Sequence, residues 1–103
     1  MEKFDNRLCP VARAMDVIGE KWTPLIIRQL LVNGASRFQD IAESIPEASA
    51  NTLSERLKKL EAHGLIKREF YSDHPPRANY VLTEKGMTLK PVFVALRDWG
   101  KGL

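Results

Sequence analysis

The chain has one cysteine, Cys9, in 103 residues. A single thiol excludes an internal disulfide framework and any multi-cysteine metal site, and it fits a reducing compartment. The two histidines, His63 and His74, stand apart without a companion set of ligands, so no metal is expected. Long apolar runs are missing too. Nothing approaches the roughly 20 residues that span a bilayer, and the opening MEKFDNRLCPVARAMDV is too broken by charge for a secretory signal. These absences predict a cytoplasmic protein without membrane contact. There is no glycine-rich phosphate loop, and no His, Asp or Asn is spaced to activate Cys9 as a nucleophile. Neither an enzyme nor a cofactor is therefore expected.

What is present suits one small domain over residues 1–103. Hydrophobic residues make up 44% of the chain, enough for a modest core, although a domain of this size buries a limited share of its surface and gains from a partner. The formal net charge of +3 is unevenly placed. Residues 1 to 53 hold six Lys or Arg against seven Asp or Glu, and residues 54 to 103 hold ten against six. A basic second half suits a polyanion, because neutralising phosphates supplies the sequence-independent part of nucleic-acid affinity. The same charge also suits a solvated helix face and strand edge.

Between Ser49 and Gly86 a helical pattern passes into two alternating runs around a Pro-Pro loop. Leu53, Leu57 and Leu60 share a face at i, i+4 and i+7, which predicts a helix from about Ala50 to His63, with Ser49 as N-cap and Gly64 in the left-handed position past its end. Alternation then predicts two strands closed by Ser72 to Pro76, where Pro75 and Pro76 donate no ladder bonds. Upstream, Val11, Met15 and Ile18 mark a first helix after Pro10, ending at Gly19. The segment WTPLIIRQLLVNG is the buried central helix, with Trp22, Leu25, Ile26 and Leu30 in the core. A short third helix starts after Ser36, whose hydroxyl has capping-box spacing to Gln39, and buries Phe38, Ile41 and Ile45. Pro46 to Ser49 has the length of a turn between crossing helices, so the third and fourth helices make a helix-turn-helix. A fifth helix follows Thr83, with Pro91 expected to kink or split it. The predicted class is α+β, mainly α: a winged helix-turn-helix of five helices with a β-hairpin wing.

That arrangement predicts a double-stranded DNA partner. In the major groove Asn pairs bidentately with adenine and Arg with guanine, so Asn51 and Arg56 are the candidates for base contacts, beside Ser49, Thr52 and Glu55. Capping or a surface ion pair is the alternative use of Asn51 and Arg56. Ser36, Arg37, Lys58 and Lys67 are candidates for phosphate, and His74 and Arg77 for the backbone or minor groove from the wing. A winged-helix protein-interaction module would share the fold without specific DNA binding, and steep salt dependence separates the two. The last helix carries Met87, Leu89, Val92, Phe93, Leu96 and Trp99, a wide apolar surface that covers either its own core or a second copy. A symmetric dimer would set two recognition helices roughly 34 Å apart. Cys9 stands beside Pro10 at a helix start, where the dipole and nearby Arg7 favour thiolate. It is either a thiol reactive toward an oxidant or electrophile, or a small packing residue.

The fragments Cys9-Pro10-Val11, Gly19 to Thr23, Arg37-Phe38, Leu53 to Glu61, Gly64-Leu65-Ile66, Pro75-Pro76-Arg77, Tyr80 to Gly86 and Trp99-Gly100 together resemble the HxlR-type branch of bacterial winged-helix transcription regulators, in the MarR-like superfamily. The match spans nearly the whole chain. Departures are Glu20, where the family more often has Gly, and Asn79, where it more often has Glu. The resemblance implies a homodimeric repressor or activator on palindromic operators, dimerising through its first and last helices. That assigns Val11 and Met15 to the interface with Val92, Phe93, Leu96 and Trp99. It also implies a redox switch at Cys9, since some members use a cysteine at this position. With no second cysteine, the product would be an intersubunit disulfide or a mixed adduct.

Overall fold

The computed structural model describes residues 9–103. Four helices, α1 (Pro10–Ile18), α2 (Thr23–Asn33), α3 (Phe38–Ser44) and α4 (Ala50–Ala62), precede two antiparallel strands, β1 (Ile66–Asp73) and β2 (Pro76–Leu82). Two further helices, α5 (Glu84–Met87) and α6 (Lys90–Gly100), complete the fold. The helix expected after Thr83, with Pro91 to kink or split it, is two segments. The chain breaks at Thr88 and Leu89, which places Pro91 in the first turn of α6, where its missing N–H has no intrahelical acceptor to lose. No helix among the described residues is long and apolar enough to cross a membrane.

The core lies where α2, α3, α4 and the base of the hairpin meet. Ile26, Ile27, Ile41, Ile45 and Leu53 are wholly buried, and Leu57, Leu60 and Ile66 nearly so. Trp22, Leu25 and Phe38 reach only the edge of this cluster. Trp22 caps α2 in the left-handed region at φ 78°, a conformation that costs a β-carbon residue on the order of 1–3 kcal/mol, and contact with the core holds it there. On α1 only Val17 and Ile18 reach inward. Val11 and Met15, though in phase with Ile18, are left exposed.

The N-cap of α3 falls one residue later than expected. Arg37 is the N-cap, and its backbone N–H donates to the Asp40 carboxylate at 2.9 Å. Ser36 is drawn into a β-bridge instead, donating to the Tyr80 carbonyl at 3.0 Å and accepting from its N–H at 2.8 Å. The hairpin pairs Ile66 with Leu82, Arg68 with Tyr80 and Phe70 with Ala78. A bulge at Tyr71 follows, and pairing resumes at Ser72 with Arg77. The expected loop from Ser72 to Pro76 is therefore shorter, because the bulge takes up the odd residue and the ladder continues to Asp73 and Pro76. Thr83 joins the wing to α4, donating from Oγ1 to the Gly64 carbonyl at 2.6 Å while accepting from the Gly86 N–H at 3.1 Å. A side chain at Gly86 would collide with the Leu65 carbonyl oxygen, so α5 can close on this joint only as glycine.

Candidate nucleic-acid interface

Both ends of α4 are fixed by local bonds. Ser49 Oγ accepts from the Thr52 N–H at 3.1 Å and donates to Thr52 Oγ1 at 2.9 Å, so both hydroxyls serve the cap. At the other end Gly64 takes φ 73°, and Lys85 Nζ donates to the His63 carbonyl at 2.9 Å, placing a cation at the negative end of the helix. With about 100° per residue, burying Leu53, Leu57 and Leu60 turns Asn51, Glu55 and Lys58 to the opposite side, where all three are exposed. Among the described residues Lys58 makes no ion pair.

Arg56 does not stand on that face. It projects from the flank of α4 toward the α1–α2 connection, its side chain only 16% exposed. Its Nη1 lies 3.2 Å from Glu20 and 3.3 Å from Glu55, and its Nε donates to the Lys21 carbonyl at 3.1 Å. The Arg56 guanidinium, expected at a base edge, is held in this structure by bonds to the protein's own Glu20, Glu55 and Lys21 on the flank of α4. Ser36 is corrected. Its hydroxyl is buried, donating to the Gly34 carbonyl at 3.0 Å and receiving Gln29 Nε2 at 3.4 Å, which leaves nothing for a phosphate.

Arg37 remains at the surface. Its guanidinium reaches the Asp40 carboxylate at 3.1 Å, and this hydrogen bond lowers the Asp40 pKa while raising that of Arg37. Lys67 is exposed beside Glu69 at 3.8 Å, and His74 and Arg77 are exposed at the tip of the wing. Arg68 reaches Glu61 at 3.3 Å and so ties the wing to the side of α4. Neither Glu20 nor Lys59 was among the site residues expected from the sequence. Lys59 was legible as the i+4 partner of Glu55, but Glu20 lies far upstream and only the tertiary fold brings it to α4. The hydrogen bond from Lys59 holds the Glu20 carboxyl below the usual carboxylate range.

On α1 and α6, Val11, Met15, Val92, Leu96 and Trp99 are exposed, Trp99 at 71%. Phe93 differs from this set, because it turns inward and packs against the chain's own core. A groove of about 460 Å³ runs between α2 and α6, floored by Leu25, Leu31, Phe93 and Leu96. Cys9 is half-buried at the N-cap of α1, where its carbonyl accepts from the Arg13 N–H at 3.0 Å and its thiol makes no capping bond. Arg7 lies outside the described residues.

Residues 17–103 match the family model for the HxlR-like helix-turn-helix. An HTH-type transcriptional regulator of Methanothermobacter thermautotrophicus is 43% identical over 97 residues, covering 94% of this chain and 73% of the relative. The HTH-type transcriptional regulator YodB of Bacillus subtilis is 39% identical over 95 residues, covering 91% of this chain and 84% of its own. The quinone-bound crystal structure of YodB is similar at a TM-score of 0.77 with 36% identity, covering 93% of this chain and 100% of that one. The redox regulator HypR in its reduced form is similar at a TM-score of 0.85 with 35% identity, covering 91% of this chain and 92% of that one.

Proposed function

The chain belongs to the HxlR-like helix-turn-helix family of transcriptional regulators, which are not enzymes, and from that premise we propose that it binds a palindromic DNA operator as a homodimer. The observation that carries this reading is the outer face of α4, where Asn51, Glu55 and Lys58 stand exposed on a helix capped at both ends and braced by the wing. In this reading Asn51 pairs with a base edge, Lys58, Lys67 and Arg37 take phosphates, and His74 and Arg77 follow the backbone from the wing. Ser49 and Thr52 contribute by holding the first turn in place. Glu55, unable to approach phosphate, either accepts from a cytosine amino group or orients its neighbours. The dimer forms through Val11, Met15, Val92, Leu96 and Trp99, which are otherwise left in water, and sets the two α4 helices roughly one helical turn of DNA apart.

The test is titration of a duplex from the region flanking the protein's own gene, followed by fluorescence anisotropy. Affinity should fall by about 10³-fold or more between roughly 50 and 200 mM salt. Asn51→Ala should cost about 1–3 kcal/mol and relax preference at one base position in each half-site. A flat salt response would favour a winged-helix protein-interaction module.

Cys9 serves as the redox-responsive group in the same reading. Its thiol is uncommitted to the helix cap, and the relatives include a redox regulator and a regulator solved with quinone bound. Two Cys9 thiols of a dimer lose two protons and two electrons to an oxidant to form one disulfide, or one thiolate adds to an electrophile. DNA release by diamide or a quinone should vanish in Cys9→Ser, and unchanged release in that variant would refute the role.

A further inference from the structure

One carboxylate on the α1–α2 connection meets two cations of α4. Glu20 Oε1 accepts from Lys59 Nζ at 2.7 Å, and Glu20 Oε2 lies 3.2 Å from Arg56 Nη1. Glu55 adds a second acid, 3.3 Å from Arg56 and 3.7 Å from Lys59. Two acids and two bases leave this flank of the helix with no net charge, although its sequence reads as basic. The two cations differ in how they are held. Arg56 is also bonded to the Lys21 carbonyl and is mostly covered, so it acts as a brace. Lys59 keeps half of its side chain in solvent, next to Glu55 at the border of the outward face. Surface ion pairs of that kind are weak, so with the carboxylate removed a phosphate can take its place beside Lys59.

We propose that Glu20 limits the affinity of the protein for DNA, acting as an internal anion that occupies Lys59 in the free protein and competes with the phosphate backbone for it. The proposal rests on the DNA-binding reading above and adds a residue that contacts no DNA. Removing the competitor adds one phosphate contact per protomer. Each contact steepens the salt slope by about 0.9, which at roughly 0.1 M salt corresponds to about eightfold tighter binding per contact relative to extrapolation to 1 M.

The experiment measures binding of a mixed-sequence duplex of about 30 bp, by anisotropy across a salt series, for wild type, Glu20→Gln, Glu84→Gln, Lys59→Ala and the double variant Glu20→Gln/Lys59→Ala. Circular dichroism melts confirm that each is folded. Glu20→Gln should bind about eightfold tighter for each protomer engaged, on the order of tens of fold for the dimer, with a slope steeper by about one unit per protomer. Glu84→Gln, which changes net charge equally on α5, should shift affinity less and leave the slope unchanged. Lys59→Ala should remove the gain in the double variant. A steep wild-type response with an unaltered slope in Glu20→Gln, or a gain that survives loss of Lys59, overturns the proposal and leaves the DNA reading standing. Flat salt responses in every variant overturn both.

Discussion

Helices α4 and α6 are both short and amphipathic, yet they finish differently. The apolar stripe of α4 is buried completely, whereas α6 has no buried residue and shows Val92, Val94, Leu96 and Trp99 to solvent. Isolated helices of 13 and 11 residues are marginal in water, so each depends on what covers its apolar face. For α4 the covering is the chain's own α2, α3 and hairpin base. On α6 Phe93 packs against that core, while Val92, Leu96 and Trp99 stay exposed. Within this chain, then, the apolar stripe of α4 is covered by the chain's own residues, and α6 is the helix whose apolar side the proposed dimer would cover.

The comparison breaks most visibly in the core. Leu57→Ala should lower unfolding free energy by about 2–5 kcal/mol in urea titrations. A loss below about 1 kcal/mol would mean that the stripe of α4 is not what holds the helix down. Trp99→Lys should act in the opposite way, leaving the melting temperature of the protomer nearly unchanged while weakening self-association by about tenfold or more in sedimentation equilibrium. A variant that stays dimeric at the same concentrations would place the dimer contact somewhere other than α6. The smallest effect is acid sensitivity around the recognition unit. Folding lowers the pKa values of Asp40 and Glu20, so their contribution is present above the ordinary carboxylate value of about 4 and is lost as pH falls through the lowered values. Asp40→Asn should therefore melt slightly below wild type near neutral pH, and the gap should narrow as the pH is taken below the ordinary carboxylate value of about 4. A gap that persists in acid would show that the charge of the Asp40 carboxylate is not what stabilises the start of α3.

The elements built from neighbours in sequence were legible. Ser49, the leucine stripe and Gly64 specify α4 within one run of residues, and the helix begins and ends where those signals lie. What escaped depended on distant partners. Arg56 carries the right chemistry for guanine, but Glu20 and the Lys21 carbonyl, brought close only by the packing of α1 and α2 on α4, claim it first. Ser36 has the spacing of a cap, and the bridge to Tyr80 overrides it. Phe93 shares its helix with Val92 and Leu96, and only the position of α6 against the core decides that it points the other way. In the wing, alternation was readable up to Phe70, but nothing local marked the bulge at Tyr71 that lets the strands run on to Asp73 and Pro76.

The bridge between Ser36 and Tyr80 has a bearing on the duplex itself. Two backbone bonds there, with the Arg68–Glu61 pair beside them, fasten the hairpin to the helix-turn-helix at two points, so the distance between α4 and the wing is set before any DNA arrives. A gauge of fixed width cannot adjust to the groove, and the strain of an imperfect match falls on the nucleic acid. In the proposed complex, sequences whose steps open or narrow cheaply would then be bound in preference to stiff ones, including at positions that no side chain reaches.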